Sequence, residues 1–332
     1  MYIVETYTTA VILTFITMLC WGSWANTQKI AKGYRFELFY WDYVLGILIF
    51  SLLLGFTLGS KGSAGMGFAE SISQASAGSI FSAALGGIIF NLSNILLVAA
   101  IAIAGMSIAF PVGVGLCMVL GVIINYIATP KGDATILFTG VALVTVAIVV
   151  DAIAYRKLTT SNQKTPTKGI ILSVLAGFLM AWFFRFVASS IAVDPLVPEA
   201  GKLTPYSAFF FFVAGIVISN FLFNTILMRK PIEGEPVTFK QYFSEGPKGH
   251  LAGLFGGMIW ALGTSLSLIA AGKAGYAISF GLGQGATLIG ALWGVFIWKE
   301  FKSAPKGTYP LLALMFVLFI AGLGLIIVAG MR

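Results

Sequence analysis

LGGIIFNLSNILLVAAIAIAGMSIAFPVGVGLCMVLGVIINY, residues 85–126, lies over FGGMIWALGTSLSLIAAGKAGYAISFGLGQGATLIGALWGVF, residues 255–296, at a constant offset of 170 without a gap. Twelve positions are identical, and five of them are glycines: Gly86/Gly256, Gly87/Gly257, Gly105/Gly275, Gly113/Gly283 and Gly115/Gly285. Apolar sequence gives chance matches of Leu, Ile and Ala, but not readily five aligned glycines. The chain therefore contains its own copy. Each block holds two apolar runs split by a glycine-bearing joint, at Gly105-Met106 and at 272–275, the pattern of a tight helical hairpin.

Outward from these blocks, apolar runs of about 20 residues recur along the whole chain, each long enough to cross about 30 Å of hydrocarbon. Ten spans are predicted, at 7–24, 38–58, 79–104, 107–128, 135–155, 169–191, 204–228, 251–271, 276–298 and 309–330. The apolar fraction is 58% and the charged fraction 10%, whereas soluble domains carry about 25% charged residues. In water such a chain would expose large apolar patches. The first Lys is Lys29, so the start lacks a signal peptide's basic segment and the first run is expected to be a true span. The predicted fold is an all-α polytopic membrane protein, ten transmembrane helices in two five-helix repeats. The repeats are 1–157 and 169–332, joined by a short cytosolic linker, 158–168. Five is odd, so the second repeat enters the bilayer inverted. That is a transporter architecture with a solute site near the midplane. Gly113 and Gly115 after Pro111, and Gly281, Gly283 and Gly285 at the aligned place, are positioned to loosen the fourth and ninth spans.

Basic residues set the orientation. Fourteen Lys and Arg fall in loops on one side, among them Lys29, Arg35, Lys164, Lys240 and Lys302, and five on the other: Lys61, Lys131, Lys202, Lys273 and Arg332. The fourteen-residue side is expected to be cytoplasmic, with both termini outside a cell membrane. The formal charge of +8 is thus a topology signal, not a mark of nucleic-acid binding. One His and two separated Cys cannot make a usual zinc site. No Ser has a His at a suitable depth for a nucleophile and base. The chain is read as no enzyme, with no metal and no cofactor.

Met1-Tyr2-Ile3-Val4-Glu5, Tyr40-Trp41-Asp42-Tyr43, Leu92-Ser93-Asn94, Gly105-Met106-Ser107, the run 137–142, the run 206–212, Ala274-Gly275-Tyr276-Ala277, Trp293-Gly294 and Glu300 resemble the plant ureide permeases in order along the chain. That resemblance implies the drug/metabolite transporter superfamily, whose members have ten helices in two inverted halves. The plant permeases carry a long cytosolic insertion with a phosphate-loop-like motif, where this chain has only 156–168. No G-x-x-x-x-G-K-[ST] occurs here, so nucleotide binding is not implied. A sister family, the proton-coupled glucose and rhamnose porters, is similar in layout.

Asp42 is the candidate for proton coupling. It lies about one turn inside the second span, where a carboxylate can load and release a proton. The competing reading makes it a helix anchor paired with Lys29 or Arg35. Asp151 is similarly placed in the fifth span, where an anchoring role is favoured because outer spans are peripheral in the superfamily. Arg185 is the one basic residue well inside a span. It either snorkels outward, pairs with Glu5, or presents its planar fork to a solute. At midplane depth Asn91, Asn94, Trp182, Trp260, Thr264 and Gln284 are the candidate solute-binding residues. Amides both donate and accept, and indoles stack on flat rings. Trp21 and Trp24 read as an interfacial belt. The expected function is a secondary importer of a small neutral polar metabolite, driven by protons. By resemblance the solute is a ureide or oxo nitrogen heterocycle such as allantoin or uracil. A proton–sugar symporter and a drug exporter are the alternatives.

Overall fold

A computed structural model describes residues 1–62, 64–104, 106–158, 167–232 and 234–332. Ten of its spans are long and apolar enough to cross a bilayer. The first is α1 (Tyr7–Ser23) followed after a turn by α2 (Asn26–Ile30), and the second is α3 (Phe36–Phe56). A short α4 (Phe68–Gln74) precedes α5 (Ala77–Ala104), α6 (Met106–Ala128) and α7 (Ala134–Arg156). Then come α8 (Thr167–Ser190), α9 (Pro205–Arg229), the short α10 (Phe239–Ser244) and α11 (Pro247–Ala274). The ninth span is broken into α12 (Tyr276–Gly283), α13 (Ala286–Leu292) and a π turn (Trp293–Ile297), and α14 (Thr308–Ala329) completes the set. Among the described residues only one isolated bridge, Ile191 to Leu203, is not helix or loop.

The ten expected spans are all present, with ends that move by a few residues. α11 begins at Pro247 because proline is at home in a first turn. Of the two expected hairpin joints, Gly105 lies outside the described residues. The other narrows to Gly275 alone, at φ +96°, where a side chain would be strained. Lys131 Nζ donates to the Lys273 carbonyl at 2.6 Å, covering the end of α11. Residues 159–166 of the expected linker also lie outside the described residues.

Glycines set the helix pairing. Gly46 of α3 faces the Leu254 carbonyl of α11, and Gly257 of α11 faces the Tyr43 carbonyl and Ile47 amide of α3. The same contacts recur between α9 and α5. There Gly215 faces the Ala84 carbonyl, and Gly87 faces the Phe212 carbonyl and Ile216 amide. A methyl at any of the four would strike backbone. Lipid provides no hydrophobic drive between helices, so such close approach carries the association. The second span thus packs on the eighth as the seventh packs on the third. This exchange is what a duplicated chain requires, and it is compatible with inversion. α7 and α14 pair with each other through Gly140 and Gly322.

The predicted loosening is found in one half. The ninth span breaks at Gln284–Gly285. The fourth does not: α6 runs unbroken through Pro111. Gly113 there receives the close approach of Gly177 from α8, a packing use that leaves the helix whole.

Candidate transport site

Four spans meet at a buried cluster of amides and aromatic rings. Tyr40 of α3 is fully buried, donates to Asn91 Oδ1 at 2.9 Å, and accepts from Asn94 Nδ2 at 3.1 Å. Asn91 Nδ2 donates onward to Ser219 Oγ of α9 at 2.9 Å. Both asparagines come from one face of α5, as the three-residue spacing requires. The Asn94 amide oxygen has no hydrogen bond among the described residues. Trp260 of α11 stands against Phe90 with ring centres 4.5 Å apart, and stacks on Phe212 at 6.2 Å. Tyr43 lies between Trp24, at 4.7 Å, and Trp260, at 6.3 Å.

The first span supplies two indoles to this interior, which corrects their reading as an interfacial belt. Trp21 Nε1 donates to Thr264 Oγ1 at 3.0 Å. Its ring fills a slot cut by two glycines: a Cβ on Gly263 would lie 2.9 Å from Trp21, and one on Gly283 2.8 Å. Gly283 adjoins the break in the ninth span, so Trp21 couples the first span to the eighth and to that break. Depth along a helix is legible in a sequence, but which way the ring points is not.

At the basic end of the bundle, where the loops carry most of the Lys and Arg, Asp42 is 2% exposed. Three side chains converge on it. The Tyr34 hydroxyl donates to Oδ2 and the Tyr242 hydroxyl to Oδ1, each at 2.7 Å. His250 Nδ1 lies within hydrogen-bond distance of both oxygens, 2.9 Å from Oδ2 and 3.0 Å from Oδ1. Gly253, one turn along α11 from His250, lets that helix close on the Asp42 side chain. Burial, and then the bond to Asp42, push both tyrosine hydroxyls well above their ordinary value, so they remain donors at neutral pH. The anchors expected for Asp42 are engaged elsewhere. Arg35 forks onto Glu37 at 2.8 and 3.2 Å, and Lys29 meets Glu300 at 2.9 Å. His250, Tyr34 and Tyr242 are the residues that sequence reasoning missed. The chain's one histidine, at the foot of the eighth span, was the available signal.

The remaining candidates are scattered. Thr264 is buried and bonded to Trp21, at the level of the aromatic cluster. Gln284 is half-buried at the helix break, and its side-chain amide makes no hydrogen bond among the described residues. Trp182 is 37% exposed on α8 and does not join the cluster. Asp151 is nine-tenths buried near the basic end of α7, and its Oδ1 has no hydrogen-bond partner among the described residues. Glu5 is exposed and Arg185 half-buried, and no ion pair joins them. Glu5 instead lines a cavity of about 330 Å³ at the opposite end, roofed by residues 1–5 and 191–196 and floored by Leu268 and Ile269.

The model of the family described as ureide permease matches residues 39–167 and 154–329. The two matches meet at the short segment between the fifth and sixth spans. Ureide permease 1 and ureide permease 4 of Arabidopsis thaliana are 22% and 23% identical, each alignment covering 99% of both chains. A probable ureide permease of Vigna unguiculata, A3, is 20% identical over 93% of this chain and 100% of its own. A solved crystal structure matches with a TM-score of 0.64 at 15% identity over 96% of each chain, a likeness of fold. The matched ranges take in Asp42 and the broken ninth span.

Proposed function

Because this chain belongs to the ureide permease family, and so is a multi-pass membrane transporter and not an enzyme, we propose that it imports a small neutral polar metabolite by proton symport. The solute class is a ureide or an oxo nitrogen heterocycle such as allantoin or uracil. The observation that carries the proton is the Asp42 clamp: a buried carboxylate, at the mouth of the bundle, bonded to one histidine and two tyrosines. Buried charges are held only where their lone pairs are met. Removing the charge from Asp42 weakens its hold on His250 and on the two tyrosines, and so loosens the tie between α3 and α11 at that end. Loading a proton is thereby coupled to parting the helices. In this reading the basic end is cytoplasmic, both termini are outside a cell membrane, and the cavity beside Glu5 opens outward. The halves 1–157 and 169–332 rock against each other about the buried cluster.

The solute reading rests on that cluster. Asn91 and Asn94 offer amides, and Trp260 and Thr264 stand at the same depth, with Gln284 at the adjoining break. Flat solutes with C=O and N–H edges suit such surroundings. Trp182 and Arg185, which stand apart from the cluster, are not needed for this reading. Uptake of labelled allantoin, uracil, glucose and rhamnose into cells expressing the protein tests the class. Uptake of allantoin or uracil supports it; uptake of the sugars alone replaces it with a sugar symporter.

A further inference from the structure

Tyr43 carries a hydroxyl that the fold does not use. The residue is fully buried, and its oxygen has no hydrogen-bond partner among the described residues. An unmet hydroxyl in an interior is unfavourable, and native proteins carry few. The neighbouring Tyr40, whose ring stacks on Tyr43 at 5.4 Å, shows the ordinary arrangement: its hydroxyl is met by Asn91 and Asn94.

The protein's second copy shows that packing does not call for the hydroxyl. Gly257 approaches the Tyr43 carbonyl and the Ile47 amide as Gly87 approaches the Phe212 carbonyl and the Ile216 amide. Phe212 thus holds the place of Tyr43 in the other half. Its ring meets Phe90 and Phe183, each at 5.8 Å, as the Tyr43 ring meets Trp260 and Trp24. A phenylalanine fills the same kind of aromatic nest. The oxygen is the difference between the two walls.

We infer that the Tyr43 hydroxyl is a solute-binding group, donating to a carbonyl oxygen of the carried molecule and making the site selective for solutes with a carbonyl beside an N–H. The inference rests on the transport reading above and adds a residue that reads the solute. The acceptor half of that match is the free Asn94 amide oxygen, on the residue whose nitrogen is tied to Tyr40. Tyr40 links the two, stacked on Tyr43 and bonded to Asn94. The walls around them are flat rings, the surface on which a planar solute stacks. Tyr43 also follows Asp42 in the same helix, which places the solute contact one residue from the proton site.

Binding of uracil, 2-thiouracil and 4-thiouracil to the purified protein, with Tyr43→Phe, tests this. The variant is expected to melt at the same or a higher temperature without solute and to bind uracil about tenfold or more weakly. A thiocarbonyl is a poor acceptor, so one of the two thiouracils should bind wild type less tightly than uracil, and Tyr43→Phe should erase that difference. A lower melting temperature for the solute-free variant would show that the hydroxyl serves the fold, and would overturn the inference. Unchanged uracil binding, or a thiouracil difference that survives the substitution, would overturn it while leaving the transport reading intact. If wild type binds none of the three and carries only sugars, both fall together.

Discussion

His250 Nδ1 stands 2.9 Å from Asp42 Oδ2, joining the eighth span to the second across 208 positions of chain. Tyr242 reaches the same carboxylate from the loop before the eighth span, and Tyr34 from the loop before the second. One buried charge therefore gathers two spans and two loops at one end of the bundle. The opposite end has its cavity of about 330 Å³.

Tyr242 belongs to the short helix α10, which also lays Phe239 against Trp41 at 5.5 Å. Tyr242→Phe keeps the ring and removes one donor to Asp42. At this half-exposed position the cost to stability is expected to be about 1 kcal/mol. Amide exchange in 239–244 should quicken in the variant while α3 and α11 stay protected. Unchanged exchange would mean that the Asp42 bond does not hold the helix down.

Tyr34 and Tyr242 hydroxyls sit above their ordinary value of 10.0. Their folded forms favour the protonated state, so their contribution is fully present below pH 10 and is lost as pH rises beyond it. Melting measured from pH 6 to 11 should fall at the alkaline end. The fall should be smaller in a Tyr34→Phe/Tyr242→Phe double variant.

Gly257 has backbone of α3 directly against it, whereas Gly290 has nothing within 4 Å. Gly257→Ala is expected to destabilise the protein by about 1–3 kcal/mol through overpacking. Gly290→Ala should be neutral or slightly stabilising, since alanine is the better helix former. Equal melting temperatures for the two variants would remove the glycine seam from the account.

Orientation is open to single-cysteine labelling in a background with Cys20 and Cys117 replaced by alanine. Lys240, in the short helix α10, and Lys61, in the turn after α3, are both exposed and lie at opposite ends. An impermeant reagent applied to intact cells should label Lys61→Cys and spare Lys240→Cys. The reverse pattern would turn the protein over in the membrane.

The spans were legible because hydrocarbon thickness imposes a length and a polarity that few soluble segments share. The helix break at Gln284 was legible because three glycines crowd it. The unbroken α6 was not, since whether glycine loosens a helix or admits a neighbour depends on what stands opposite. Asp42 stood out as a charge in an apolar run. Its partner did not: His250 read as an isolated histidine at a span's foot, and its pairing is set by a helix contact over 200 positions away. Trp182 and Trp21 show the same limit from two sides. Both depths were read from position, but rotation about the helix axis turned Trp21 into the cluster and left Trp182 on the outer surface. The hydropathy of a span that is apolar all round carries no preferred face.

The most direct test of the account is accumulation of labelled solute by proteoliposomes under an imposed proton gradient, comparing wild type with Asp42→Asn. The substitution keeps the side chain's shape and removes its titration. Wild type should concentrate allantoin or uracil against its gradient. Asp42→Asn should lose that accumulation while retaining part of the solute exchange, and Asp151→Asn should do much less. Accumulation by Asp42→Asn with an unchanged pH dependence would contradict the account and leave Asp42 as an anchor between two helices.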